Sequence, residues 1–196
     1  MRSHELKKAK RDVRRRILEL RDAMNADERR EAGAAAVARF LDLSEVGSSS
    51  TVMAFWSFGS EVPTEPLIAA LRGRGIRVAL PAIVDGALEV RTYELGDPVH
   101  ATSFGAMEPA DGAVVPAMDV DVICTPAVAF DRAGRRVGYG GGYYDAFFPS
   151  TRGDAHRIGI AFGLQVLSET LPAGNADLRV DAIVTESETI RCGRTP

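Results

Sequence analysis

Apolar residues at helical spacing dominate the first part of the chain. Between residues 3 and 23 they recur every three to seven positions, opposite a face rich in arginine: Leu6, Val13, Ile17 and Leu20. This spacing predicts one amphipathic helix. Asn25, followed by Glu28 three residues later, has the pattern of a capping box and predicts a second, alanine-rich helix that ends near Leu41.

Short apolar runs then alternate with segments of helical character. The runs "TVMAFWSF", "IRVALPAI", "HRIGIAF" and "RVDAIVTES", with another that ends near Thr125, predict buried strands, while the alternation in "ALEVRTYEL" predicts a more exposed one. Helices are predicted for "TEPLIAALRGRG", capped by Thr64 and ending at Gly73 or Gly75, and for "YYDAFFPS" and "LQVLSETL". This order predicts an α/β fold with an open, mostly parallel sheet and helices on both faces.

Length and charge limit the classes of function. A chain of 196 residues is long enough for one good core and short for two, so we expect a single domain, residues 1–196. The net charge of −3 gives no broad cationic field for nucleic acid or an anionic membrane. No apolar run has the length of a membrane span, and Cys124 and Cys192 form no disulfide framework. We expect a cytoplasmic monomer that binds small molecules.

Basic residues are concentrated at the start of the chain. Eight lie within the first sixteen positions: Arg2, Lys7, Lys8, Lys10, Arg11, Arg14, Arg15 and Arg16. A charged helix face is usually only solvated, but Lys10 and Arg14 are four residues apart and therefore share one side of the helix. The histidines are scattered and receive no predicted role: His4, His100 and His156.

The stretch "DRAGRRVGYGGGYYDAFF" is the strongest candidate for a binding site. Its glycine loop, residues 138–142, precedes a predicted helix, and backbone N–H groups in such a loop form a concave site for an anion. Arg135 and Arg136 would add permanent positive charge. Asp145 beside a phosphate site predicts a bridging Mg²⁺, although a first-turn carboxylate is also common in helices without a ligand.

General nucleotide motifs do not fit this loop. Tyr143 stands where the last glycine of G-x-G-x-x-G would lie, and no Gly-Lys-Ser/Thr follows as in a Walker A motif. A glycine-rich turn without a ligand remains an alternative. In an open α/β sheet the ligand lies beyond the carboxyl ends of the strands, which also brings in the loops "SFGSEVPTE" and "LPAGNADLRVD".

The segment "TPAVAFDRAGRRVGYGGGYYDAFF" resembles the signature of the 5-formyltetrahydrofolate cyclo-ligase family, also called 5,10-methenyltetrahydrofolate synthetases. Further similarities follow in order along nearly the whole chain: "KRDVR", "SFGSEVPTEPLI", "VALPAI", "FGAMEP" and "NADLRVDAIVTE". The resemblance implies a single Rossmann-like domain and an ATP- and Mg²⁺-dependent ligase that cyclises 5-formyltetrahydrofolate to 5,10-methenyltetrahydrofolate, releasing ADP and phosphate. Val137 replaces the usual leucine, and Gly141 occupies a position that is lysine in some members.

The resemblance also implies site residues. Those expected at ATP are Lys10, Arg11, Arg14, Arg136, Val137, Gly138, Tyr139, Gly140, Gly141, Gly142, Tyr143 and Tyr144. Those expected at the folate are Trp56, Glu61, Tyr139, Gly140, Gly141, Gly142 and Tyr143. Lys10, Arg136 and Tyr143 are expected to be catalytic, and Asp145 and Asp177 to bind Mg²⁺. Phe58 is a further candidate for lining the pterin pocket.

Two other classes of function remain open from the residues alone. One is a sugar-phosphate isomerase or CoA-transferase relative on a similar sheet, which would bind phosphate without ATP or Mg²⁺. The other is a non-catalytic module that binds folate, nucleotide or RNA. Overall acidity and the lack of interleaved aromatic and basic residues argue against RNA.

Overall fold

The computed structural model describes residues 3–102 and 105–193. The helices are α1 (Ser3–Asp22), α2 (Ala26–Leu41), α3 (Ser44–Gly47), α4 (Glu65–Gly73) and α5 (Tyr143–Phe147). The strands are β1 (Thr51–Met53), β2 (Arg77–Val84), β3 (Ala87–Thr92), β4 (Val99–Ala101), β5 (Met107–Pro109), β6 (Val122–Thr125), β7 (Ala129–Asp131), β8 (Arg136–Val137), β9 (His156–Ile160), β10 (Val166–Leu167), β11 (Ala182–Val184) and β12 (Thr189–Arg191).

A seven-stranded sheet with the order β12-β11-β9-β6-β1-β2-β3 forms the centre of the fold. The five central strands are parallel, and the edge strands β3 and β12 are each antiparallel to their neighbour. This confirms the predicted open, mostly parallel sheet. The carboxyl ends of β1, β2 and β6 lie side by side, so the loops that follow them meet at one edge of the sheet.

Alternating residues of β1 enter separate cores. Val52 packs in a cluster with residues of α2 and α4, such as Phe40 and Leu67. Met53 packs in a second cluster with Phe148, which follows α5. Because successive side chains of a strand point to opposite faces, helices cover both faces of the sheet, as predicted.

The boundaries of the first two helices agree with the sequence pattern. The Asn25 side chain accepts a hydrogen bond from the backbone N–H of Glu28 at 2.9 Å, and the Glu28 carboxylate accepts one from the backbone N–H of Asn25 at 3.3 Å. The predicted capping box is therefore confirmed. Thr64 does precede α4, but its hydroxyl donates to the carbonyl oxygen of Phe55 instead of capping the helix.

A small sheet of β10, β7 and β8 lies beside the main sheet and supports α1. Ile17 of α1 packs against residues in and around this sheet: Val128, Ala129, Val137 and Leu171. This contact fixes α1 across the glycine loop, which follows β8 directly. The sequence pattern did not predict the small sheet, because its strands have only two or three residues each.

The predicted helix in "LQVLSETL" is wrong. Residues Gly163–Gln165 form one turn of 3₁₀ helix, and β10 follows. The Gln165 amide is buried and donates to the carbonyl oxygens of Ala127 and Val128, both at 3.0 Å. These tertiary bonds and the pairing of β10 with β7 override the local helical pattern. The sequence pattern also did not predict the edge strand β12. Within the described residues no helix is long and apolar enough to span a membrane.

Candidate active site

A cleft of about 1030 Å³ opens at the carboxyl ends of β1, β2 and β6. Basic side chains of α1 and Arg136 of β8 line one part, here called the cationic half, and apolar side chains from β2, β3, β5 and the loop after β1 line the rest, the apolar half. The apolar half includes Phe55, Trp56, Phe58, Pro81, Ile83, Leu88 and Met107. The cationic half includes Lys7, Lys8, Lys10, Arg11, Arg14 and Arg136, and the His4 imidazole also lines the cleft. The glycine loop, residues 138–142, lies against this half through the contact of Arg14 with Gly138 and continues into Tyr143 and Tyr144.

Helix α1 supplies most of the positive charge. Lys10 Nζ lies 2.6 Å and 2.5 Å from the two carboxylate oxygens of Asp177. One turn later, Arg14 Nε donates to the carbonyl oxygen of Gly138 at 2.8 Å. The spacing of four residues thus brings both side chains to the same cleft, and Arg14 holds the helix against the glycine loop.

The glycine loop depends on backbone conformations that glycine adopts without strain. Gly140 and Gly142 have φ angles of 116° and 72°. At Gly141 a Cβ atom would lie 2.5 Å from Cε2 of Tyr143, so the ring packs directly on the loop backbone. Helix α5 has only five residues, and the cleft therefore offers anions loop N–H groups and cationic side chains more than a helix dipole.

Arg135 and Arg136 diverge, although they are adjacent. Arg136 is buried and lines the cleft, where its guanidinium forms an ion pair with Asp145 at 3.0 Å and lies 4.8 Å from the ring centre of Phe148. Burial lowers the pKa of Arg136, and the Asp145 charge opposes this shift. Arg135 instead pairs with Asp131 at 3.3 Å, outside the cleft lining, so its predicted contribution to the site is wrong.

The two carboxylates expected at the metal both face the cleft and are both ion-paired. Asp145 Oδ1 accepts bonds from Arg136 and from the backbone N–H of Leu178. Burial alone would raise the pKa of Asp177, but hydrogen bonds from Lys10 and Gly174 lower it. The described residues contain no cluster of three or more His, Cys, Asp or Glu side chains. Two oxygen ligands fit Mg²⁺, which commonly completes its shell with water and phosphate oxygens.

Glu61 lies at the buried end of the cleft and is already hydrogen-bonded. One carboxylate oxygen accepts from the Tyr139 hydroxyl and the other from the backbone N–H of Phe58, both at 3.0 Å. Burial raises the pKa of Glu61. Arg21 in turn donates to the Tyr139 hydroxyl at 2.7 Å. The Phe58 and Tyr139 rings are 5.1 Å apart and extend the apolar wall.

Of two other residues expected at ATP, Tyr144 lines the cleft and Val137 does not. The Tyr144 hydroxyl is buried and has no hydrogen-bond partner among the described residues, and burial raises its pKa well above the ordinary value. Val137 does not line the cleft, because its side chain packs in the core beside Ile17. Only the backbone of Val137 remains available to a ligand.

Several cleft residues were not singled out from the sequence. The helical repeat of α1 places Lys7 and His4 on the same face as Lys10 and Arg11, a signal that the pattern already contained. Glu108 and Met107 lie within the quoted segment "FGAMEP", but nothing in their local pattern predicts that β5 would reach the cleft.

Comparison with known proteins gives consistent matches. The sequence model of the 5-formyltetrahydrofolate cyclo-ligase family matches residues 6–186. The 5-formyltetrahydrofolate cyclo-ligase of Escherichia coli K12 is 33% identical over 178 residues, which cover 88% of this chain and 97% of the relative. The corresponding protein of Haemophilus influenzae is 28% identical over 172 residues, covering 85% and 91% of the two chains.

Solved structures show the same architecture. The 5,10-methenyltetrahydrofolate synthetase of Aquifex aeolicus superposes with a TM-score of 0.82 at 31% identity, over 95% of each chain. A 5,10-methenyltetrahydrofolate synthetase of Mycoplasma pneumoniae superposes with a TM-score of 0.73 at 20% identity, over 91% of this chain and 99% of the other, which shows the shared fold.

Proposed function

The chain belongs to the 5-formyltetrahydrofolate cyclo-ligase family, and from this premise we propose that its cleft converts 5-formyltetrahydrofolate to 5,10-methenyltetrahydrofolate with ATP and Mg²⁺. The observation that carries the proposal is the division of one cleft into a cationic half and an apolar half. A triphosphate matches the first and a flat pterin the second, and the reaction requires the two ligands to meet within the cleft.

The chemistry explains why both halves are needed. The formyl oxygen is a poor leaving group, so N10 cannot displace it directly. The formyl oxygen attacks the γ-phosphorus of ATP, an O–P bond forms, and ADP leaves. N10 then attacks the formyl carbon and loses its proton, the C–O bond breaks, and inorganic phosphate departs with the former formyl oxygen. The methenyl bridge remains between N5 and N10.

In this reaction the protein acts mainly by position and charge. Phosphoryl transfer requires in-line placement and cations around the moving group. Lys10, Arg14 and Arg136 provide these cations, while Arg11 and the loop N–H groups of residues 138–142 add contacts along the triphosphate. Removal of one such preorganised charge commonly costs about 100-fold or more in rate.

The metal and the folate have their own groups of residues. Asp145 and Asp177 would hold Mg²⁺, which would neutralise charge on the phosphate oxygens. When the nucleotide binds, Lys10 and Arg136 exchange these carboxylates for phosphate oxygens. Trp56, Phe58 and Tyr139 enclose the pterin beside Glu61, and Tyr143 borders both ligands, where it positions the N10 region. We further propose that residues 1–196 act as one domain, as a monomer in the cytoplasm.

The test follows the absorbance of the methenyl product after purified protein is mixed with 5-formyltetrahydrofolate and Mg·ATP. We expect a steady increase that requires ATP, folate and divalent metal together. In the Lys10→Ala variant the KM for ATP should rise about 10-fold or more, with a much smaller change in the KM for folate, because Lys10 lies in the cationic half. The opposite ranking would contradict the assignment of the two halves.

A control distinguishes the alternative class. Mg·ATP should raise the thermal midpoint of the wild-type protein, whereas sugar phosphates should leave it unchanged. A midpoint raised by sugar phosphates and not by Mg·ATP, without methenyl formation, would favour a sugar-phosphate isomerase or CoA-transferase relative instead.

A further inference from the structure

Glu108 is a buried carboxylate in the apolar half of the cleft. Its side chain is 9% exposed, and Oε2 accepts a hydrogen bond from the backbone N–H of Ile83 at 3.1 Å. The imidazole beside it belongs to His100, whose side chain is 56% exposed and whose Nε2 lies 3.9 Å from Oε2, too far for a hydrogen bond. Among the residues that the structure describes, none donates to Oε1.

Most of the Glu108 side chain is buried, but Oε1 is not among the buried polar atoms that lack a partner, and Glu108 lines the cleft. Oε1 therefore remains open to the cleft, whose lining also includes the apolar residues Trp56, Leu88 and Met107. Ligand pockets typically combine apolar walls with a few placed polar groups that determine orientation. Glu108 has this character, because it lines the cleft and its Oε1 accepts no hydrogen bond from the described residues.

Glu61, the other carboxylate beside the apolar wall, is in a different state. Both of its oxygens accept hydrogen bonds from the protein itself, from Tyr139 and Phe58. It therefore stabilises the cleft wall and has less capacity for a ligand. Within the described part of the chain, the contacts of the Glu108 carboxylate all go to Oε2, which leaves Oε1 for a ligand.

From this contrast, and resting on the proposed function, we propose that Glu108 binds the donor edge of the folate pyrimidine ring, formed by N3–H and the 2-amino group. Two adjacent N–H donors match the acceptor geometry of a carboxylate, and hydrogen bonds to a charged acceptor are the strong ones. The proposal makes Glu108 the residue that determines specificity for 2-amino-4-oxo pterins. It also fixes which end of the folate enters the apolar half first.

The test changes both partners of this contact. Binding is measured through the fluorescence of Trp56, the only tryptophan of the chain, in the presence of a non-hydrolysable ATP analogue. The ligands are 5-formyltetrahydrofolate and its 2-desamino analogue, and the proteins are wild type, Glu108→Gln and, as the matched control, Glu61→Gln. In the Glu108→Gln variant, an NH2 donor replaces one of the two acceptor oxygens, and it then faces either the Ile83 N–H or one of the two ligand donors.

We expect Glu108→Gln to weaken binding of 5-formyltetrahydrofolate by about 10- to 100-fold. The wild-type protein should lose a similar factor with the 2-desamino analogue. The two changes together should cost little more than either one alone, since both remove the same contact. In Glu61→Gln the loss caused by removing the 2-amino group should stay as large as in the wild type.

If the affinity losses caused by Glu108→Gln and by the 2-desamino analogue multiply, the two changes act on separate contacts and the proposal is overturned. Equal binding of both ligands to the wild-type protein would also overturn it. The second result needs no variant, so a poorly folded Glu108→Gln would not prevent the test. Unchanged affinity of the variant for the ATP analogue shows that its cleft is intact.

If the wild-type protein binds no 5-formyltetrahydrofolate and forms no methenyl product, the proposed function itself fails. Binding and turnover with no effect of Glu108→Gln would reject this inference alone.

Discussion

At the scale of single residues, the two tyrosine hydroxyl groups of the cleft are satisfied very differently. The Tyr139 hydroxyl donates to Glu61 and accepts from Arg21, whereas the buried Tyr144 hydroxyl has no partner among the described residues. A buried polar group without a partner costs stability that a phenylalanine at the same position would recover. Tyr144 lines the cleft, so we expect a bound ligand to supply the partner of this hydroxyl.

Replacement of Tyr144 by phenylalanine should therefore stabilise the free protein. We expect a gain of about 1 kcal/mol, or about 2–4 °C in the thermal midpoint of a chain of this size, because the desolvated hydroxyl is removed while the ring packing against Phe148 remains. Calorimetry of the unliganded protein measures the shift. The same change at Tyr139 is the control and should lower the midpoint; a lower midpoint for Tyr144→Phe as well would contradict the assignment of an orphaned hydroxyl.

The sequence predicts residue positions only where a regular spacing links them. The four-residue interval between Lys10 and Arg14 is enough to place both on one side of α1, and both line the cleft. Arg135 and Arg136 cannot be separated in this way, because their directions depend on β8 and on their partners Asp131 and Asp145. Glu108 reaches the cleft through the pairing of β4 and β5, a tertiary feature without a local pattern.

At the scale of elements, α1 is held over the cleft by contacts near its middle and in its last turn. Near its middle Arg14 bonds to the glycine loop, and in its last turn the buried Arg21 donates to the Ser60 hydroxyl at 2.9 Å and to Tyr139. The arginines of α1 thus have three different environments: Arg14 lines the cleft, Arg21 is buried and Arg15 is exposed to solvent. Periodicity identified the helix, but the burial of Arg21 follows only from the folded loops.

Loss of the buried anchor should cost far more than loss of an exposed arginine. Arg21→Met leaves Ser60, Tyr139 and Glu61 without their cationic partner, and we expect the free energy of unfolding to fall by about 3 kcal/mol. Arg15, whose side chain is 71% exposed and lies 3.7 Å from Asp12, is the matched control on the same helix. Arg15→Met should cost less than about 0.5 kcal/mol. Urea unfolding compares the two, and equal losses would show that Arg21 does not anchor α1.

Element boundaries differ in how well the sequence determines them. The end of α1 and the start of α2 are predicted closely, because the capping box at Asn25 is a local interaction. The helix predicted in "LQVLSETL" fails since Gln165 makes its hydrogen bonds to residues nearly forty positions away. The strands β7, β8 and β10 are too short to show any periodicity.

At the scale of the whole molecule, charge is organised locally within an acidic protein. The net charge is −3, yet one half of the cleft is lined by cations from α1 together with Arg136. The predicted α/β class follows from the alternation of apolar runs and helices, and the sheet confirms it. The meeting of the two halves of the cleft follows from sheet topology, which brings α1, the glycine loop and the ends of β1, β2 and β6 to one edge.

The proposed function requires this cleft to transfer a phosphoryl group from ATP to the formyl oxygen before the ring closes. The most direct measurement uses 5-formyltetrahydrofolate labelled with ¹⁸O in the formyl group and determines the isotope in the inorganic phosphate released by the protein. We expect one ¹⁸O atom in phosphate for each methenyl product formed. Unlabelled phosphate, with the ¹⁸O recovered in water, would contradict it.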